Sequence, residues 1–164
     1  MGRWFTNRKR SGSRLAAVLL LLVLAAGVAA ATTPGELYTV GKGAFDDKLY
    51  ELAKRNFRRI LQEFPDYEYA DRAQFYLGLA NYEKRDYNAA VFELSRLLKN
   101  YPGSALRAQA AYIVAASRFA MGQIVESVGG FESLIREYPK SDWVADARSA
   151  LGQAYLRLKR FDDA

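Results

Sequence analysis

The sequence predicts an all-α fold, an α-α superhelix of antiparallel helical hairpins stacked with a period of about 37 residues. Three observations predict it. The stretches "EFPDYEYADRA", "NYPGSALRAQA" and "EYPKSDWVADA" share one pattern, and their prolines, Pro65, Pro102 and Pro139, lie 37 residues apart. Between them, apolar residues recur at helical spacing on both sides of a short polar break. Large and small positions also coincide from unit to unit: Tyr50, Tyr87, Ile124 and Phe161; Ala53, Ala90, Ser127 and Ala164; Phe57, Leu94 and Phe131; Gly41, Gly78, Ala115 and Gly152.

The chain has 164 residues and a formal net charge of +6. Arg3, Arg8, Lys9, Arg10 and Arg14 all precede the first acid, Glu36, and removing those five from the 24 basic residues leaves 19 against 18 acidic ones. A near-neutral body has no footprint for a phosphate backbone, so no nucleic-acid partner is expected. The basic start leads into "LAAVLLLLVLAAGVAAA", Leu15 to Ala31, an apolar run closing in small residues. That layout predicts a signal peptide over residues 1–31, cleaved after Ala31, and a periplasmic mature chain. The alternative is an uncleaved inner-membrane anchor facing the periplasm, because a run of seventeen residues approaches the shortest spanning helix. Cysteine is absent, so there are no disulfides and no thiol for a lipid.

The remainder, 32–164, divides into repeats over about 34–65, 71–102 and 108–139, with a partial fourth over 145–164. In the second unit the polar break is "EKRD", Glu83 to Asp86, which marks the hairpin turn. Gly78 and Ala90 are small because they are expected where the two helices cross. Each proline ends a second helix by lacking an amide hydrogen and by constraining the residue before it. Ser104 and Ser141, two residues after their prolines, are placed to cap the next helix. The third unit is the least regular, with Gly129 and Gly130 inside its second helix; drift in the repeat accounts for such a pair, as does close approach of another backbone. The fourth unit stops at "KRFDDA", partway through a hairpin, which reads as a fragment of a longer protein.

Leu77, Gly78, Ala80, Tyr82, Tyr87, Ala90, Leu94, Leu97 and Pro102 resemble the signature of the tetratricopeptide repeat. Its usual period is about 34 residues, and the three extra here lie in "PGSALRA" and "PKSDWVA". Long repeats with a "YP-x-S" junction are similar to those of two bacterial envelope families: BamD-like lipoproteins of outer-membrane protein assembly and CpoB (YbgF)-like periplasmic partners of the Tol-Pal system. BamD-like proteins carry a lipidated cysteine after the signal and CpoB-like proteins a coiled coil before the repeats, and neither feature is found here. The resemblance therefore implies the repeat fold and an envelope location, and neither specific role.

Chemistry is poorly provided for. Without histidine or cysteine the serine triad, histidine-based metal sites and thiol nucleophiles are excluded in their usual forms, and no glycine-rich phosphate loop occurs. Asp46 with Asp47 and Asp162 with Asp163 fall at expected hairpin turns, where solvated Asp is ordinary. No enzyme activity, cofactor, metal or small-molecule substrate is expected. A stack of hairpins instead offers an extended concave surface for a protein or peptide partner. The resemblance places the groove positions at Tyr38, Lys42, Phe45, Arg72, Phe75, Leu79, Tyr82, Tyr112, Phe119, Gln153 and Leu156. Two aromatic ladders result, Tyr38, Phe75 and Tyr112, and Phe45, Tyr82 and Phe119; such stripes serve equally as groove or as core between repeats. The function expected is an exported scaffold for protein–protein interactions in outer-membrane assembly or envelope maintenance, contacting membrane only through partners or a retained anchor. The alternative is a non-catalytic segment of a larger envelope enzyme.

Processing of the signal leaves a mature chain beginning at Thr32, in the periplasmic fraction. N-terminal sequencing of envelope material checks this, and an intact Met1 in the inner membrane would establish the anchor instead.

Overall fold

The computed structural model describes residues 33–162. The expected signal peptide, 1–31, lies outside them. Seven helices and no strand occur among the described residues: α1 Pro34–Asp46, α2 Tyr50–Glu63, α3 Ala70–Glu83, α4 Tyr87–Asn100, α5 Arg107–Ala120, α6 Ile124–Glu137 and α7 Trp143–Asp162. Each hairpin pairs neighbours in sequence, and the first helices α1, α3, α5 and α7 also touch one another across repeats, whereas the second helices do not. The first helices therefore form the inner layer and the second helices the outer one, as in a helical solenoid.

The junctions repeat in detail. The aromatics before the prolines, Phe64, Tyr101 and Tyr138, take φ of −137°, −122° and −126° as C-caps. With ψ of 61°, 68° and 53° they leave the helical region, which a following proline disfavours. Their amides still donate to Ile60, Leu97 and Leu134, at 2.8, 3.0 and 2.9 Å. Ser104 Oγ accepts from the Leu106 amide at 3.2 Å and Ser141 Oγ from the Trp143 amide at 3.3 Å. Each seryl bond thus closes a local turn at the mouth of the helix and does not reach the helix's second or third amide. Ser104 Oγ also donates to Asp71 Oδ2 at 2.6 Å, tying the junction after α4 to the first turn of α3.

The turns inside the hairpins are equally regular. Lys48, Arg85 and Gly122, again 37 residues apart, hold φ of 61°, 61° and 79°. At each, one amide reaches back three residues and the next reaches back five, as Arg85 to Tyr82 at 2.8 Å and Asp86 to Asn81 at 2.9 Å. This is the Schellman ending, which needs one left-handed residue. The fourth unit departs from it. The turn expected at Asp162 and Asp163 falls at the end of α7, which runs unbroken through position 159, the place that matches Lys48, Arg85 and Gly122, to Asp162.

Packing explains the small residues. A Cβ on Gly78 would fall 2.5 Å from Leu94 Cγ, and one on Gly41 would fall 3.0 Å from Phe57 Cε1. Gly78 is thus the seat for Leu94, which is fully buried, as is Ala90. In the third hairpin the seat carries one more methyl, Ala115, and the opposing helix has given one up: a Cβ on Gly130 would lie 2.9 Å from Ala115 Cβ. Gly130 is therefore a close-approach glycine, whereas Gly129 has nothing within 4 Å of such an atom. The buried residues form three clusters, centred on Phe57 and Ile60, on Leu94 and Leu97, and on Phe131 and Leu134. The next first helix completes each cluster, with Ala73 and Leu77, Ala110 and Ile113, or Val144 and Ala147.

The two glycines respond oppositely to alanine. Gly129→Ala stabilises by up to about 1 kcal/mol through helix propensity. Gly130→Ala forces Ala115 aside and destabilises by about 1–3 kcal/mol, and Ala115→Gly in that background recovers much of the loss. Urea melts of these three variants and of Ala115→Gly alone check the set, and additive effects of Gly130→Ala and Ala115→Gly would contradict the contact.

Candidate inner-face binding site

The inner layer begins with an aromatic cluster at the α1–α3 contact. Tyr38 meets the rings of Phe57, Tyr67, Tyr69 and Tyr76 at centroid distances of 6.0, 6.5, 5.9 and 6.4 Å. Tyr76 stacks on Phe57 at 5.6 Å and meets Phe45 edge-on at 5.3 Å. Two cations border the cluster: Lys42 Nζ lies 5.4 Å from the Tyr76 centroid, and the Arg72 guanidinium lies 4.6 Å from that of Tyr69. Ring faces carry negative charge density, which draws the cations onto them. Lys42 also donates to Asp46 Oδ2 at 2.6 Å, one helical turn on, and this bond raises its pKa. Burial pushes the Tyr38 phenol up and Tyr76 adds to the shift, while Arg72 and Lys42 pull it back.

Of the remaining expected positions, Phe75 is 3% exposed and belongs to the core beside Leu94 and Leu97. A partner has no access to it, so at this position the aromatic stripe is core. Tyr82 and Tyr112 are half-buried, and burial raises both phenols. Tyr82 packs on Tyr87 at 5.6 Å, and Tyr112 on Trp143 at 5.0 Å and Phe131 at 5.7 Å. Leu79 is partly buried against the middle cluster. Phe119 receives Arg157 at 4.9 Å. Gln153 and Leu156 are exposed on α7, Leu156 by 68%. The two expected ladders therefore do not stack ring on ring; each member engages other neighbours. Tyr76 and Tyr69, central to the cluster, lie outside the repeat-matched set because Tyr76 aligns with Thr39 and Ile113 and carries no periodic signal.

Among the described residues no group of three acidic, histidine or cysteine side chains could hold a metal ion. The carboxylates with a clear shift, Glu51 and Glu63, move down: Lys84 and then Lys54 hold Glu51 at about 2, and Arg59 lowers Glu63. General-acid chemistry near neutrality needs the opposite displacement.

Residues 30–161 match the YfiO family, described as "Outer membrane lipoprotein". The chain belongs to this family. Curated relatives of this YfiO-family chain are outer membrane protein assembly factors BamD. The one from Pasteurella multocida is 23% identical over 145 residues, covering 77% of this chain and 56% of the relative. That from Haemophilus influenzae is 24% identical, covering 77% and 58%, and that from Caulobacter vibrioides 27%, covering 68% and 39%. The chain thus spans little more than half the length of the first two. A solved tetratricopeptide-repeat protein from Bacteroides fragilis superimposes with a TM-score of 0.61 at 19% identity, over 77% of this chain and 53% of that one. Its likeness shows the fold: a tetratricopeptide solenoid. No helix among the described residues is long and apolar enough to cross a membrane.

Core and surface members of the expected site separate on substitution. Phe75→Ala costs about 3–5 kcal/mol, the loss of a buried ring, while Arg72→Ala changes stability by less than about 1 kcal/mol. Thermal and urea melts of the two variants check the division.

Proposed function

We propose that this chain is an exported, non-catalytic scaffold that holds a segment of a partner protein on its inner helical layer during outer-membrane protein assembly. The observation that carries the reading is the cluster of half-buried tyrosines bordered by Lys42 and Arg72, in a chain of the YfiO family. Rings with large accessible faces supply affinity, and bordering charges orient what binds. An acidic segment or a terminal carboxylate suits the two cations. The relatives' naming as BamD assembly factors supports the setting, and residues 1–31 supply export to the periplasm. These 164 residues contain no cysteine to carry a lipid, so membrane association in this reading runs through partners or a retained Leu15–Ala31 segment. A single bound segment is expected at micromolar affinity, about 8 kcal/mol.

A photoreactive residue placed at Arg72 or Gln153, both exposed on first helices, should crosslink in cells to envelope proteins engaged in outer-membrane assembly. The same residue at Lys99 on α4 should not. Equal products from all three positions, or none from the inner ones, would sink the reading.

A further inference from the structure

The tip of the first hairpin breaks two local rules at once. Leu49 is the N-cap of α2, with φ −80° and ψ 60°, and makes no side-chain cap bond. At the matching place in the second hairpin, Asp86, with φ −82° and ψ 72°, accepts a hydrogen bond from the Ala89 amide. Leucine is among the poorest N-cap residues, so α2 forgoes a bond its backbone is shaped to receive. Leu49 is also 55% exposed and Leu52, one turn on, is 37% exposed. Both sit in a hollow of about 600 Å³ lined also by Lys48, Tyr50, Glu51, Arg55 and Lys84. Departures from local preference of this kind collect at functional surfaces.

The charge around the two leucines is one-sided. The only carboxylate in the lining, Glu51, is bound by Lys84 at 2.6 Å and Lys54 at 3.1 Å. Asp47 precedes Lys48 but lies outside the lining. Lys48 and Arg55 form no salt bridge among the described residues, and Arg58, also exposed, stands one turn beyond Arg55. We infer that this tip is a second docking surface, for an acidic segment of a partner protein whose large apolar side chain seats on Leu49 and Leu52 while its carboxylates meet Lys48 and Arg55. The hollow is shallow and small, two adjacent leucines between two unpaired cations, a footprint that matches one apolar side chain flanked by carboxylates in a protein segment better than the extended headgroup surface of an anionic membrane. The surface is formed by the first hairpin turn and α2 with Lys84 from the end of α3; it adjoins the inner-layer cluster where Tyr50 meets Phe45 at 5.6 Å, and its argument stands without the function proposed above.

The test is fluorescence anisotropy with the full chain and a short labelled peptide carrying a central Leu-Phe pair flanked by glutamates. Micromolar binding is expected, weakened about tenfold or more by Leu49→Asp and by Arg55→Glu. Leu49→Asp should melt above the parent, because aspartate takes up the missing cap, so its loss of binding is separable from loss of fold. Peptide binding unchanged in both variants overturns the proposal, as does equal binding of a peptide with lysines in place of the glutamates. Binding to phosphatidylglycerol vesicles without binding to the peptide overturns it in favour of a membrane. A lower melting point for Leu49→Asp overturns the claim that Leu49 displaces a cap.

Discussion

Everything in this solenoid depends on how closely the two helices of a hairpin can approach, and one position on the first helix sets that distance. Gly41 seats Phe57, and Gly78 seats Leu94. The seated side chains are fully buried and anchor clusters that the following first helix must complete. A hairpin thus cannot finish its own core, which is why stability in such arrays is shared between intrinsic and nearest-neighbour terms. The third hairpin obeys the same constraint by exchange. Its seat carries a methyl at Ala115 and the facing helix has no side chain at Gly130, so close approach is reached with different residues.

The exchange reaches the neighbouring positions. At one pair of repeat-matched sites the chain carries Leu37 and Asn56, then Gln74 and Glu93, then Ala111 and Gly130. In the second unit Gln74 Nε2 donates to Glu93 Oε2 at 2.8 Å and to the Glu93 carbonyl at 3.0 Å, a buried polar crossing whose members satisfy each other. In the third unit Ala111 and Gly130 line a hollow of about 570 Å³. A buried amide left alone is expensive, so removing the glutamine and the glutamate together is the inexpensive route from one arrangement to the other.

Much of the fold was legible in the sequence because it rests on repeated features. Prolines end the second helices, polar breaks mark the turns, and shared small residues mark the crossings, each through backbone sterics that act locally. The left-handed residue was not legible: Lys48 and Arg85 occupy a place that only Gly122 betrays by type. Nor was the length of α7, which runs straight through the position where the other units turn. The inner face was half legible. Of the matched positions, Tyr38, Lys42 and Arg72 keep accessible surface while Phe75 is buried, and periodicity cannot tell an inward ring from a half-buried one, so all four were grouped together. Tyr76 escaped for the complementary reason, because its neighbours in the stack at that position are Thr39 and Ile113.

That contrast gives a rule for reading surfaces on a repeat scaffold. Positions alike in every unit answer to the stacking geometry and say little about partners. Positions where one unit differs answer to something else, and the physical sign of the difference separates drift from selection. Replacing a consensus alanine by Ser127 leaves a buried hydroxyl without a partner among the described residues, a penalty with no compensating contact in view. Tyr67, Tyr69 and Tyr76 are different, since they exchange the residues of the other units for a seam that stays half open and carries Lys42 and Arg72 on its border. A seam of that kind adds little to packing, because a half-exposed ring keeps part of its area in water. What it adds is an accessible aromatic face beside fixed charge, and such a face gains most of its interaction energy only when a partner covers it.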